Sequence, residues 1–357
     1  MKICILGNGL VSLTLAKALI NHGIYVDIFS DRKSKLQSGT RTLGISQNNI
    51  NFLNKEILEI EKFLWKINQI EIYSENLNNE KLLNFENKDQ NLFSMIKNHE
   101  LKNYLFSELK KNRYTKFRGS TFNLNNHCKK YDLIINCDPK SKLTNKFFYK
   151  KQTKDYKSFA FTTLINHKKI KDNQTACQIF TKNGPLAFLP ISNEQTSVVY
   201  SVKGRENINF KDSIVKYNIK YDITKIQKPD NFSLQSVDLI SYHYKNILAF
   251  GDILHRIHPL AGQGFNMSIR DIREFLKIID TKIQLGLPIN QSVCSEFQKR
   301  TKSKNLIFSE GIDFIYEFFN SENKLKSRLV DATIRFVGKN KLMNKYFKKF
   351  ADRGLQI

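Results

Sequence analysis

Residues Lys2–Leu6, apolar from Ile3 onward, read as a short buried strand. Gly7 and Gly9 follow, and the apolar positions then take helical spacing through Ile20 until Gly23 stops the helix. A second run, Tyr25–Phe29, completes strand, glycine turn, helix and strand within about 30 residues, a βαβ unit that implies a parallel sheet. Further on, 45–60 and 101–110 read as helical, 67–97 is mixed and strand-like in places, and 131–137 is another buried-strand candidate. From 156 to 202 the texture changes. The stretches 159–165, 176–181, 186–190 and 196–202 are β-rich and divided by turn residues, which predicts an antiparallel sheet inserted between parallel-sheet segments. Residues 247–250 are apolar again and lead into Gly251-Asp252, a helix is expected from near Phe265 to Asp280, and the chain beyond Phe297 reads as helical.

The expected fold class is therefore α/β. A Rossmann-like domain on a parallel sheet (1–70, 98–150 and 240–290) is interleaved with an antiparallel-sheet domain (71–97 and 151–239), and a helical C-terminal region follows (291–357). The length of 357 residues suits one large or two linked domains, and 41% apolar residues suit a folded chain. Lys plus Arg number 58 and Asp plus Glu 33, a net charge of +25. Such an excess favours an anionic partner: nucleic acid, a membrane surface or an anionic cofactor. A genome rich in Asn, Ile and Lys codons explains it equally well. No nucleic-acid-reading motif is present, so no nucleic-acid partner is expected. The five cysteines, an odd number without a close pair, suit a reducing compartment and offer neither zinc site nor disulfide framework. No apolar run reaches the roughly 18 residues of a spanning helix, and the first residues do not read as a signal peptide. A cytoplasmic protein, soluble or peripheral on the inner membrane face, is expected.

Two motifs carry chemistry. In Gly7-x-Gly9-x-x-Ser12, the first glycine permits a tight turn and the second lets a pyrophosphate approach the backbone at a helix N-terminus. Ser12 stands where a third glycine is usual. The acid expected at the end of the second strand falls on Ser30. Asp31 beside it either binds the adenosine ribose after a one-residue shift or is a solvated loop charge. The second motif, 251–271, is more specific. Asp252 is delivered at the C-terminal end of a buried strand, where ligands bind in α/β sheets, and can accept hydrogen bonds from ligand hydroxyls. Pro259 supplies a rigid wall. Gly262 and Gly264 let a ring approach the backbone, and the helix they open points its positive end at that ring. His255 and His258 are three residues apart, but no carboxylate or cysteine lies at ligand spacing, so no metal is expected.

Residues 251–271 resemble the second flavin motif of the ubiquinone-biosynthesis hydroxylases, flavin aromatic hydroxylases related to para-hydroxybenzoate hydroxylase. Residues 40–46 resemble that family's arginine segment, Gln178-x-Phe180 and 184–190 its substrate-domain signature, and 131–138 its middle flavin motif. The resemblance implies non-covalent FAD extended across the Rossmann-like domain under a substrate-covering antiparallel sheet. Gly7, Gly9 and Ser12 would line the pyrophosphate, and Asp31 would take the ribose. Arg41 would face the flavin, Asp138 would sit near the cofactor, and Asp252 would hold the ribityl and pyrophosphate region. Pro259, Gly262, Gln263 and Gly264 would form the catalytic face against the flavin ring, with Asn266 near its pyrimidine edge. The implied reaction uses transient NAD(P)H and O2 to hydroxylate a polyprenylated phenol through a flavin hydroperoxide.

Four departures from the family pattern stand out: Ser12 and Ser268 for glycine, Ser30 for the usual acid, and Pro139 for the glycine after Asp138. They leave open a non-catalytic or FAD-weak accessory subunit of a membrane-associated quinone-synthesis assembly. A flavoprotein hydroxylase of another lipid or aromatic compound is the other alternative. The basic stretch 324–349 carries apolar residues at intervals. It either packs on the flavin domain or meets an anionic membrane surface.

Overall fold

The computed structural model describes residues 1–30, 39–75, 81–86, 91–119, 122–204, 208–258 and 262–325. Its first part runs β1 (Lys2–Leu6), α1 (Leu10–Asn21), β2 (Tyr25–Phe29), β3 (Thr42–Ser46), α2 (Gln47–Phe52), β4 (Trp65–Ile67), β5 (Gln69–Ser74), β6 (Lys81–Glu86), β7 (Phe93–Lys97), α3 (Asn98–Lys111) and β8 (Thr115–Arg118). The middle comprises α4 (Leu124–His127), β9 (Leu133–Asn136), α5 (Lys142–Phe147), β10 (Lys151–His167), β11 (Thr175–Thr181), β12 (Gly184–Pro190), β13 (Gln195–Lys203) and α6 (Phe210–Tyr217). It closes with β14 (Ile223–Ile226), β15 (Asp230–Leu239), β16 (His243–Tyr244), β17 (Ile247–Ala249), β18 (His255–Arg256), α7 (Gln263–Gln284) and α8 (Gln291–Leu325).

Among the described residues these strands form three sheets. The first, in the order β16-β17-β9-β1-β2-β8, is parallel except at β16. Its central strands carry apolar residues on both faces because helices cover both: Ile3, Ile5, Leu133, Ile135 and Leu248 are fully buried. They join Leu13, Leu15, Phe250, Phe275 and Phe297 from α1, α7, α8 and the end of β17 in one core.

The second sheet, ordered β18-β15-β10-β13-β12-β11-β5-β6 with β14 on β10, is the expected antiparallel one except that β11 and β5 run parallel. One face, with Phe188, Tyr200 and Ile179, packs under α6 through Phe210 and Ile214. The opposite face looks at the parallel-sheet body. There Leu164 of β10 joins Ile67 and Met95, and Ala160 joins Tyr316 of α8.

The third sheet, β3-β7-β4, differs from the sequence expectation. Residues 45 and 46, read as the start of a helix over 45–60, belong instead to β3, which pairs with β7 before α2 begins at Gln47. Residues 93–97, expected to belong with the substrate-side sheet, pair with β3 and β4 instead. Period-2 patterning marks a strand but not its partner, so sheet membership was not legible.

Candidate active site

The glycine turn is built as the spacing requires. Gly7 adopts φ +106°, and a Cβ there would stand 3.4 Å from the Cys137 carbonyl carbon. The dihedral, more than the contact, favours glycine there. Gly9 caps α1 with no side-chain hydrogen bond, so the first N–H groups of α1 face outward from the strand end. Ser12 is tolerated for a visible reason: it is buried, and its hydroxyl donates to the Gly9 carbonyl at 2.8 Å.

Asp138 follows β9, and its Oδ1 accepts from the Lys140 amide at 3.0 Å. Asp252 follows β17 and is exposed in the short 3-10 turn Gly251–Ile253. Gly251, at φ +66°, lies so close to α1 that a Cβ would be 3.1 Å from Val11. Burial pushes the Cys137 thiol far up, and the Asp252 and Asp138 carboxylates both push it further. A Cβ on Gly7 would lie 3.5 Å from the Asp138 Cβ, and Asp138 and Asp252 follow the neighbouring parallel strands β9 and β17. Gly7, Gly9, Asp138 and Asp252 thus converge where β1, β9 and β17 end, the edge at which parallel sheets bind ligands.

A second group gathers around the start of α7. Gly262 is left-handed (φ +65°, ψ 26°), and a Cβ there would be 3.3 Å from the Gly44 amide nitrogen of β3. Gly264 has open space around it. The Gln263 Oε1 is buried without a partner. Arg41 is half-buried, its guanidinium 5.0 Å from the centre of the Phe232 ring. The segment bearing Arg41 bridges to the overlying sheet: Thr42 Oγ1 donates to Ser197 Oγ at 2.8 Å and Thr40 Oγ1 to Asp230 at 3.2 Å. Thr162 pairs across β10 and β15 with Asp230, hence faces the same way, and its hydroxyl is buried without a partner. Burying a polar atom without a partner is costly, so Gln263 Oε1 and Thr162 Oγ1 are candidate ligand contacts.

Asn266 lies in the first turn of α7, as expected, and is buried. Its Oδ1 accepts from the Ser46 amide and from Asn49 Nδ2, both at 2.9 Å, and its Nδ2 donates to the Gly44 and Gly262 carbonyls. The amide therefore ties β3, α2 and the Gly262 turn together. Asp31 and Pro259 lie outside the described residues.

Sequence reasoning missed three features. Asp27 of β2 is buried and receives Tyr131 OH at 2.7 Å, with Lys2 and Arg118 beside it. Burial raises its pKa, but the Tyr131 and Lys2 hydrogen bonds and the nearby cations outweigh that and hold it below the usual carboxylate value. Its carboxylate is committed to the sheet. Thr162 carried no sequence signal, because its exposure depends on what covers β10.

The third feature is the divergence of the two histidines. His255 pairs with Asp271 at 2.5 Å, and Asn305 of α8 donates to that carboxylate. His258 is stacked on Tyr316 (4.1 Å) and edge-on to Tyr156, with both ring nitrogens buried and unpartnered. Burial lowers its pKa from 6.5 to about 3. The unfolded imidazole takes its proton near pH 6.5 and the folded one resists down to about 3, so unfolding free energy falls as pH drops through that window. In His258→Phe, urea-unfolding midpoints are expected to fall less steeply between those limits; parallel pH profiles would show that His258 is not the group responsible.

Comparison with known proteins follows from this geometry. No family model matches the chain. It is 28% identical over 156 residues to 3-demethoxyubiquinol 3-hydroxylase of Escherichia coli (strain K12), covering 40% of this chain and 39% of that protein. The match therefore spans about two-fifths of that relative's length. Whole-chain structural likeness is greater. The p-nitrophenol 4-monooxygenase PnpA from Pseudomonas putida DLL-E4 superposes with a TM-score of 0.79 at 12% identity, covering 99% of this chain and 98% of that one. Klebsiella pneumoniae HpxO complexed with FAD and uric acid superposes with a TM-score of 0.74 at 12% identity, covering 97% and 95%.

The fold is that of the flavin monooxygenases. In sequence the chain is similar to the ubiquinone-biosynthesis hydroxylases, as its late glycine motif implies. Within this flavin-monooxygenase fold, the strand-end group of Gly7, Asp138 and Asp252 and the α7 turn at Gly262 are the two halves of the candidate site. Both rest on α1, which packs on α7 and against Gly251.

Proposed function

We propose that the protein is an FAD-dependent monooxygenase that hydroxylates the aromatic ring of a polyprenylated phenol in ubiquinone biosynthesis. The observation that carries this reading is the convergence of Gly7, Asp138 and Asp252 on three adjacent parallel strand ends. The residues fit FAD. Gly7 and Gly251 let the strand ends and α1 turn tightly together, the free N–H groups of α1 suit a pyrophosphate, and Asp252 and Asp138 can accept from ribityl hydroxyls.

Bound FAD would take a hydride from NAD(P)H and, with O2, supply the oxygen inserted into the ring. The chain's own residues position and shield. The 22-residue helix α7 has no acidic residue in its first turn, so its positive end stabilises negative charge near Gly262. Gln263 and Thr162 each bring a buried oxygen without an internal partner to the region under the overlying sheet. That sheet, held by the Thr42–Ser197 and Thr40–Asp230 bonds, excludes water from the reacting ring. No helix among the described residues is long and apolar enough to cross a membrane. The basic C-terminal stretch from 326 onward lies outside the described residues, and its contact with a membrane or with a quinone-synthesis assembly belongs to the same proposal.

The test is direct. Purified protein is expected to be yellow, to bind FAD with about one flavin per chain, and to oxidise NAD(P)H faster when a prenylated phenol is added, with a hydroxylated product by mass spectrometry. Colourless protein that takes up no added FAD overturns the reading in favour of an accessory subunit. Flavin binding with hydroxylation of unprenylated phenols only would move the substrate class.

A further inference from the structure

The edge of the parallel sheet at β16 carries a surface that the hydroxylase reading does not use. Here the end of α5, the start of β10, β16 and one side chain of α8 meet. Phe147 and Tyr244 stack at 4.2 Å with an interplanar angle of 11°. Beside them Tyr149 is 62% exposed, Ile240 46% and Tyr244 44%. The Ile240 amide donates to the Lys150 carbonyl at 3.1 Å, and Lys302 reaches over from α8 to the Ile240 carbonyl at 2.6 Å. Lys146 lies over Phe147, Lys150 over Tyr149 and Lys245 over Tyr244. The two stretches that build the patch, 139–154 and 239–251, contain seven lysines; Asp138, Asp155, Asp238 and Asp252 flank them, and Lys154 pairs with Asp313 and Glu317 of α8. Lys146, Lys150, Lys151 and Lys245 make no ion pair with a described residue.

We propose that this face docks on an anionic lipid bilayer. Lys146, Lys150 and Lys245 each lie over an aromatic ring of the patch, and Tyr149 and Tyr244 are exposed. Tyrosine, with an apolar body and a polar tip, suits the headgroup level of a bilayer, and lysines beside it draw the protein to anionic lipid. Protein interfaces deplete lysine in favour of arginine, and the patch has no arginine. Single-stranded nucleic acid would need aromatic faces on which bases can stack, but Phe147 and Tyr244 already cover one another. The surface lies at the opposite sheet edge from β8.

The experiment is vesicle co-sedimentation of the full chain, with flavin content and circular dichroism as checks on folding. Wild type is expected to bind vesicles of phosphatidylcholine with phosphatidylglycerol, to ignore phosphatidylcholine alone, and to be released by salt. The triple variant Lys150→Glu, Lys151→Glu, Lys245→Glu is expected to bind ~tenfold more weakly or worse. The double variant Tyr149→Ser, Tyr244→Ser should lose several-fold even at low salt. A control with the same charge change at the β8 end, Lys110→Glu, Arg113→Glu, Lys116→Glu, should stay within about twofold of wild type. A control that loses as much as the patch variant reduces the effect to net charge and overturns the proposal. So does a patch variant that keeps its vesicle binding but loses binding to a short RNA, or that binds vesicles as wild type does. None of these outcomes depends on hydroxylase activity.

Discussion

Gly184→Ala is expected to destabilise the protein by on the order of 4 kcal/mol, enough to leave most of it insoluble at 37 °C. Gly184 opens β12 at φ +133°, a region that only glycine enters readily. An added Cβ would stand 2.1 Å from the Ser201 carbonyl oxygen of the neighbouring β13. That atom is backbone in the middle of a sheet, so it cannot rotate away as a side chain could. The turn is also held by the Thr181 hydroxyl on the Gly184 carbonyl (2.7 Å) and by the Lys203 amide on the Asn183 carbonyl (2.9 Å). Soluble yield and the urea midpoint measure the effect. In the fraction that folds, flavin per chain should match wild type, because Gly184 lies at the hairpin end of the overlying sheet. A wild-type midpoint would show that β13 yields where close packing says it cannot. The glycine of this signature segment is thus required by strand packing, a role its resemblance alone did not reveal.

Asp252→Ala is expected to have the opposite profile. Its carboxylate is exposed at the end of β17 and no described residue bonds to it, so removing it should shift the unfolding midpoint of flavin-free protein by less than about 0.5 kcal/mol. FAD affinity should fall by ~10- to 100-fold, the worth of hydrogen bonds to a charged acceptor. Fluorescence titration of flavin-free protein with FAD reads the second quantity and thermal melting the first. Unchanged affinity would remove Asp252 from the proposed cofactor site. A large drop in melting temperature without flavin would make it a structural residue.

The contrast between the two substitutions marks how far the sequence could be read. The β1–α1–β2 unit was legible because its strands are buried on both faces and its turn needs glycine at Gly7, so pattern and dihedral coincide. The late motif was legible for the same reason at Gly262, whose left-handed backbone and contact with Gly44 demand glycine. Asn266 shows the limit. Its place at the start of α7 was readable, but its amide turns to Ser46, Asn49 and Gly44, residues more than 200 positions away. His258 shows it again, since Tyr156 and Tyr316 reach it from β10 and α8.

By itself, then, the sequence determined the α/β class, the order of parallel and antiparallel segments, and the glycines and acids at strand ends. These follow from local rules: the period of apolar positions, and the dihedrals that only glycine tolerates. Only the tertiary structure decided that β7 joins β3, that Asp27 is spent on Lys2, Arg118 and Tyr131, and that Thr162 and Gln263 keep oxygens without internal partners. It also gathered Phe147, Tyr149, Ile240 and Tyr244 among unpaired lysines on one edge. Those outcomes depend on which distant element covers a residue, and neither burial nor hydrogen-bond satisfaction is a property of a residue's own neighbourhood in the chain.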